Sequence, residues 1–513
     1  VKDFPFLSIL TLLPLVGAIG VACIPRARAE LAKLVALISS LVVLALSIFM
    51  WVGYTVDSKD RFQFHESYAW IPSWHASFTF AADGIALVML MLVTVLFPIV
   101  ILASWNDVDQ SKRSAPTYFA LLLAFEFTMI GVFAAADIFL FYVFFEIMLV
   151  PMYFIIGSFG AGQKQYAAVK FFLYSLVGGL FMLAAVIGLW VNGGHTFDFE
   201  ALVKAAQSIN TDTARWLFLG FFVAFAIKAP FFPFHTWLPD SGAAAPAGAA
   251  ALLVGVMDKV GTFGILRYCL PLFPEASRWF APAALVIAVI GIIYAALLAV
   301  GQNDLKRLVS YTSIAHFGFI GIGIFAFTTQ GGTGSVLYMV NHGLATGLLF
   351  IVVGMFVARR ESSLVSDFGG AGKLVPVLAG VLFFAGLASL ALPGTAPFVS
   401  EFLVLLGTFS THKAYAVVAT AGIVLAAAYV LWMIQRTTQG TLNPALEEKP
   451  GMRIDLTLRE KVVVAPLIVL LLVLGFYPKP VTDVINPAVQ MTLQHDVGTQ
   501  DPAPVVADGK AGR

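Results

Sequence analysis

The chain has 513 residues, of which 60% are hydrophobic, 13% aromatic and 12% charged. A soluble domain carries about 25% charged residues, and a disordered one combines low hydrophobicity with high net charge, so both classes are excluded. Thirty Lys+Arg against 29 Asp+Glu leave a net charge of +1, which excludes a nucleic-acid binder working through bulk basicity.

A bilayer span needs about 20 apolar residues. Runs of that kind fall at 4–24, 31–53, 81–104, 115–135, 137–157, 167–191, 215–237, 245–268, 279–301, 307–328, 334–358, 375–408, 413–435 and 461–478. The expected fold is therefore an all-α polytopic membrane protein of about 14 transmembrane helices. Transmembrane strands would alternate over about ten residues, and these runs do not. The first run lacks the basic leader of a signal peptide, because Asp3 offsets Lys2, and is read as a retained helix. Cys23 and Cys269 cannot form a disulfide framework or supply the four thiolates of an iron–sulfur cluster, and read as small apolar residues.

The basic residues orient these spans. Loops after odd-numbered spans hold seventeen, among them Arg26, Arg28, Lys112, Arg113, Lys164, Lys306, Arg307, Arg359 and Arg360. The other side, termini included, holds eleven: Lys2, Lys59, Arg61, Lys204, Arg215, Arg267, Arg278, Lys413, Lys479, Lys510 and Arg513. The positive-inside rule then predicts both termini on the non-cytoplasmic side, which in a bacterial inner membrane is the periplasm. Two lysines remain, Lys228 and Lys259, and both lie inside apolar runs.

Span seven contains Lys228-Ala-Pro230-Phe-Phe-Pro233, and span twelve contains Leu392-Pro393-Gly394-Thr395-Ala396-Pro397. Proline removes a helix hydrogen bond and clashes with the preceding turn, so both helices should be interrupted. The two breaks stand at corresponding places in spans 4–8 and 9–13. An odd number of helices per unit makes such units inverted, an arrangement that builds ion sites near the midplane of many transporters. The expected division is 1–114, helices 1–3; 115–270, the first five-helix repeat; 271–440, the second; and 441–513, a loop, helix 14 and a polar tail.

Glu126, Glu146, Lys228, Asp258, Lys259, His316, His342 and Glu401 all lie well within apolar runs. A charge at the bilayer centre costs at least about 2.5–3.5 kcal/mol on insertion scales, so each needs a partner, water or a task. One such residue reads most simply as half of a structural ion pair; the set, recurring where both units break, suits a proton relay. A buried lysine facing a glutamate or a neutral histidine can be made to hold or release a proton, and histidine passes protons between its two nitrogens. Thr312 and Ser313 precede His316 on its helix face, and Tyr338 precedes His342 by four, so their hydroxyls could order water there. Asp258 and Lys259 stand about 100° apart on a helix and cannot both point into one pathway, which leaves Lys259 as the carrier and Asp258 as an orienting partner. Gly331-Gly332 lacks a Walker lysine, and His235 has no second histidine at metal-ligand spacing, so neither a nucleotide nor a zinc site is expected.

The stretches FLFYVFFEIMLVPMY (139–153), IKAPFFPFHTWLPD (227–240), DKVGTFGILRYCLPLFPEAS (258–277), LKRLVSYTSIAHFG (305–318), NHGLATG (341–347) and LPGTAPFVSEF (392–402) resemble one family. It is that of the antiporter-like membrane subunits, M type, of bacterial proton-pumping NADH:quinone oxidoreductase, respiratory complex I. The resemblance covers nearly the whole length. It implies fourteen core helices, two inverted five-helix repeats and a central hydrophilic axis. The family's functional positions fall on Glu146 with Lys228 as the entry pair, Lys259 as the central lysine, His316 and His342 as bridging groups, and Glu401 as the terminal residue. Sister chains of the L and N types resemble this one but carry lysine at the Glu401 position. Many relatives have a histidine in the loop after Asp240, where this chain reads Ser241-Gly242, so no role for that histidine carries over. Glu126 matches no family position.

The resemblance implies no cofactor in this chain, with FMN, iron–sulfur clusters and quinone bound by partner subunits. It also implies antiporter-like L and N neighbours, small helical subunits and lipid as partners, and no nucleic acid. Two rival expectations stand beside it: a subunit of a multisubunit Na⁺/H⁺ antiporter, and a passive membrane scaffold that conducts no ion.

Overall fold

The computed structural model describes residues 4–56, 58, 60–108 and 111–502; Lys2, Lys59, Lys510 and Arg513 of the topology argument lie outside them. Each of the fourteen expected runs coincides with a helix or a broken helix. In chain order these are α1 (Phe6–Ala22), α2 (Ala29–Gly53), α3 (Gly84–Ala103), α4 (Ala115–Ala134) and α5 (Ile138–Phe159) and α6 (Lys164–Asn192). Span seven is α7 (Thr211–Lys228) followed by α8 (Trp237–Ala244). Then come α9 (Ala247–Leu272), α10 (Pro274–Val300), α11 (Leu305–Phe325) and α12 (Thr329–Arg360). Span twelve is α13 (Pro376–Ser389) and α14 (Ala396–Thr411), before α15 (Lys413–Thr438) and α16 (Leu458–Phe476).

Among the described residues, ten helices are by themselves long and apolar enough to cross a bilayer. The others fall short for physical reasons. Asp212, Arg215 and Lys228 all lie within the 18 residues of α7, while α1, α13 and α14 are shorter than a full span. The apolar surface is placed as a lipid-facing protein requires. Phe49, Val52, Trp216, Val424 and Phe476 are exposed, whereas α9 and α12 are enclosed by other helices.

Two elements were not expected from hydropathy. Residues 63–82 form an antiparallel hairpin, β1 (Gln63–Ile71) and β2 (Ala76–Ala82), turning at Pro72–Trp74 with His75 in the left-handed region. The apolar run predicted to start at 81 therefore begins with strand residues, and α3 starts at Gly84. Beyond α16 the chain bends by 68° into α17 (Lys479–Gln490), which packs on α3 and α12 where a polar tail was expected.

Ionic clamps close the two ends of the bundle. At one end Asp83 caps α3 through the Ala86 N–H at 2.8 Å and pairs with Arg267 of α9 at 2.6 Å. The guanidinium lies over the rings of Phe62 and Phe263 at 5.0 and 5.3 Å. At the other end Asp240 accepts from Lys170 at 2.7 Å and Arg307 at 2.5 Å, joining α6, α8 and α11. There too Arg359 of α12 makes two 2.8 Å bonds to Glu460 of α16. Truncating one member of a buried pair strands the other charge, at a cost of about 3–5 kcal/mol. Asp83→Ala should therefore lower the thermal stability of the assembled protein markedly, measured by melting in detergent, whereas Glu361→Ala at an exposed ion pair should leave it unchanged.

Candidate functional site

The first helix break is built from the sequence that predicts it. Pro230 and Pro233 cannot continue α7, so the helix ends at Lys228 and resumes as α8. The Ile227 carbonyl accepts from the Trp237 indole N–H at 2.9 Å. Lys228 thus sits at a helix C-terminus, the end that favours a cation. Its ammonium lies 4.8 Å from the centre of the Phe145 ring and 5.8 Å from that of Phe171. It is fully buried, and among the described residues its Nζ has no hydrogen-bond partner.

Glu146, on α5 next to Phe145, lies within the electrostatic reach of Lys228 without an ion pair between them. Its Oε1 is also buried without a partner. Glycine at position 179 of α6 makes room for it, since a Cβ there would stand 1.5 Å from that oxygen. Gly179 is a positioning residue that hydropathy and proline patterns do not reveal.

The remaining predicted residues meet around α12. Over Leu253–Met257 the helix α9 widens into a π turn, so the Asp258 N–H bonds Leu253 O at 3.1 Å rather than the carbonyl four residues back. The Lys259 ammonium then donates to Val254 O at 2.6 Å and meets His342 Nδ1 at 2.6 Å. The His342 and His316 rings stand 5.3 Å apart between centres. His316 Nδ1 is 2.6 Å from the Tyr338 hydroxyl, which donates to Glu401 Oε2 at 2.7 Å. All five side chains are buried, and among the described residues the Nε2 atoms of both histidines have no hydrogen-bond partner.

At the second break Pro393, Gly394 and Pro397 separate α13 from α14, which carries Glu401 in its second turn. Gly475 of α16 lets the break approach closely, as a Cβ there would meet Gly394 O at 2.4 Å. Asn341 fixes the start of α14 by donating to Ala396 O at 2.7 Å. Tyr338, Asn341 and His342 share one face of α12, which makes that helix the spine of the site.

Tyr338 was expected to act beside His342 on a water-ordering face. Instead it bridges His316 and Glu401 directly, a contact between three helices that helical spacing alone does not reveal. Thr312 turns its hydroxyl back to Val309 O at 2.8 Å, and Ser313 Oγ is buried without a partner. Glu126 lies outside this line: it is buried in α4, and among the described residues neither carboxylate oxygen has a hydrogen-bond partner. Among the described residues no three His, Cys, Asp or Glu side chains converge as a metal site.

A hydroxyl between an imidazole and a carboxylate has one proton and two directions in which to offer it. With Tyr338 donating to Glu401, a His316 tautomer protonated at Nδ1 would donate to the hydroxyl, and reversing both bonds would move a proton from one end to the other. Lys259 and His342 meet directly, an ammonium against an imidazole nitrogen. A multi-pass helical protein with two broken helices and a buried line of ionisable groups belongs to the antiporter-like class of membrane subunits. Residues 135–426 match the family described as NADH:quinone oxidoreductase/Mrp antiporter, TM. NADH-quinone oxidoreductase subunit M of Mycobacterium tuberculosis is 48% identical, covering 99% of this chain and 97% of that one. NADH-ubiquinone oxidoreductase chain 4 of Arabidopsis thaliana is 38% identical, covering 95% and 97%. A chain of respiratory complex I from Thermus thermophilus with bound NADH superposes with a TM-score of 0.85 at 27% identity, covering 95% and 99%. The chain belongs to this family, among the M subunits of NADH-quinone oxidoreductase.

Removing the Tyr338 hydroxyl leaves two buried groups short of a partner, at about 1–3 kcal/mol for each unsatisfied group. Tyr338→Phe, which keeps the ring, should lower the melting temperature of the purified assembly; an unchanged melting temperature would show that the hydroxyl holds neither neighbour.

Proposed function

We propose that the chain moves protons through a relay running from Glu146 and Lys228 to Lys259, His342, His316, Tyr338 and Glu401, driven by redox chemistry in partner subunits. Membership among the M subunits supports the role of a proton-translocating membrane subunit. The observation that carries the finer reading is the hydrogen-bonded line from Lys259 to Glu401, interrupted only between the two histidines. Groups of this kind are costly inside a membrane unless they are used. The line joins the two broken-helix units, so the division into 115–270 and 271–440 reads as an entry half and an exit half.

In this reading FMN, iron–sulfur clusters and quinone belong to partner subunits, and this chain contributes only acid and base groups. Its neighbours are the antiporter-like L and N chains and small helical subunits. The location is a bacterial inner membrane with both termini on the periplasmic side, which puts the basic clamp of Lys170, Asp240 and Arg307 at the cytoplasmic end. Protonation of Glu146 and deprotonation of Lys228 are linked, because each is the other's opposite charge in an apolar setting.

A Na⁺/H⁺ antiporter subunit is the second reading, favoured by the fold. A chain of the Mrp complex from Dietzia sp. DQ12-45-1b superposes with a TM-score of 0.81, although at 22% identity and over 52% of that chain. Purification separates the two, since the first reading requires flavin and iron–sulfur clusters in the isolated complex and the second requires none. Lys259→Ala should leave assembly intact and cut NADH-driven acidification of proteoliposomes by at least about tenfold, the scale of losing one acid–base group. Normal pumping in the assembled variant would make the chain a passive scaffold. Glu401→Lys should retain part of the activity, as a second titratable group, and Glu401→Ala much less; equal rates in both variants would remove Glu401 from the pathway.

A further inference from the structure

The line of hydrogen bonds begins at Lys259, and the entry pair ends at Lys228. Between them stands a carboxylate with no partner of its own. Asp258 is fully buried, and among the described residues neither of its Oδ atoms has a hydrogen-bond partner. The other buried or half-buried aspartates near helix starts are used differently. Asp83 caps α3, Asp137 caps α5, and Asp304 caps α11, each accepting a backbone N–H at 2.8–2.9 Å. A structural aspartate in this protein accepts hydrogen bonds, and Asp258 accepts none.

Its direction follows from Gly261, three residues further along α9 and about 60° from Asp258 round the helix. A Cβ at Gly261 would meet Phe225 O and Ala229 N at 2.4 and 2.5 Å. That face of α9 is therefore pressed against the last turn of α7, where Lys228 immediately precedes Ala229. Lys259 is turned about 100° away, toward His342 on α12. One helix thus presents a carboxylate toward the first lysine and an ammonium toward the histidines. The charged groups in the field of Asp258 are Lys259 from its own helix and Lys228 from α7.

We infer that Asp258 is a proton-carrying residue between the two lysines, accepting the proton that leaves Lys228 and passing one to Lys259. In the first step an N–H bond of the Lys228 ammonium breaks and an O–H bond forms on the Asp258 carboxylate. Both charges vanish together, which avoids stranding a lone charge in an apolar interior. In the second step that O–H bond breaks and an N–H bond forms on neutral Lys259, restoring an anion beside a new cation. No electron moves and the net charge is constant. The inference rests on the relay reading above and extends it across the gap between its two halves.

The test uses the whole complex in proteoliposomes, with assembly checked by its flavin content and the initial rate of NADH-driven acidification as readout. Asp258→Asn keeps the shape and removes the exchangeable proton, and should slow acidification by at least about tenfold. Asp258→Glu restores a titratable carboxyl and should recover part of the rate, which a purely spatial role would not predict. Full activity of the assembled Asn variant overturns the inference, as does equal loss in the Asn and Glu variants. Lys259→Ala, measured in parallel, separates the two levels. If it pumps normally the relay itself fails; if it does not while Asp258→Asn does, only the role of Asp258 fails. Should the Asn variant not assemble, infrared difference spectra of the unmodified complex with ¹³C-labelled aspartate decide. A protonated-aspartate band that changes on NADH addition supports the role, and its absence contradicts it.

Discussion

Lys259 can face a histidine in the middle of an apolar bundle because the helix carrying it widens for one turn. The π turn at Leu253–Met257 shifts the Asp258 N–H to Leu253 O and presents the Val254 carbonyl to the lysine ammonium. Two acceptors offset part of the cost of burying that ammonium. The position of His342 and the path onward to Glu401 depend on that placement. Breaks at Pro230–Pro233 and Pro393–Pro397 serve the same need elsewhere, ending helices where a polar group must enter. Irregular backbone at membrane depth is sustainable only when other protein groups take up its hydrogen bonds. Trp237 does so for Ile227 at the first break, and Asn341 does so for Ala396 at the second.

The rest of the fold encloses this interior. α9 and α12 are wrapped by the other helices, so the line from Lys259 to Glu401 has no lipid contact of its own. The end clamps of Asp83 with Arg267 and of Asp240 with Lys170 and Arg307 hold the helices that carry these groups in register. Arg267 stands on the same helix as Asp258 and Lys259, so the clamp at one end also sets the depth at which those two residues sit. Glycine at 179 and at 475 allows approaches that any larger residue would prevent. The end clamps are close ion pairs, whereas among the described residues the Lys228 ammonium, the Asp258 carboxylate and Glu146 Oε1 have no hydrogen-bond partner.

Hydropathy and proline placement made the helices and both breaks legible, because each depends on local sequence. The ionisable residues stood out for the same reason: a lysine or glutamate inside an apolar run is conspicuous. What local sequence cannot show is which of them meet. Tyr338 joining His316 to Glu401 is a contact between three helices far apart in the chain, and the cradle of Gly179 around Glu146 is another. The hairpin at 63–82 escaped notice because a short, mixed strand pair leaves no apolar run. Residues 479–490 read as a polar tail because their apolar positions recur at helical spacing on only one face.

In the proposed relay Glu401 exchanges a proton through Tyr338 while the complex turns over. Infrared difference spectroscopy of the complex in H₂O and D₂O, with Glu401→Gln as the assignment control, measures this directly. The relay requires a carboxylic-acid band that changes on NADH addition, shifts in D₂O and disappears in the Gln variant. A spectrum identical in the two proteins would contradict it.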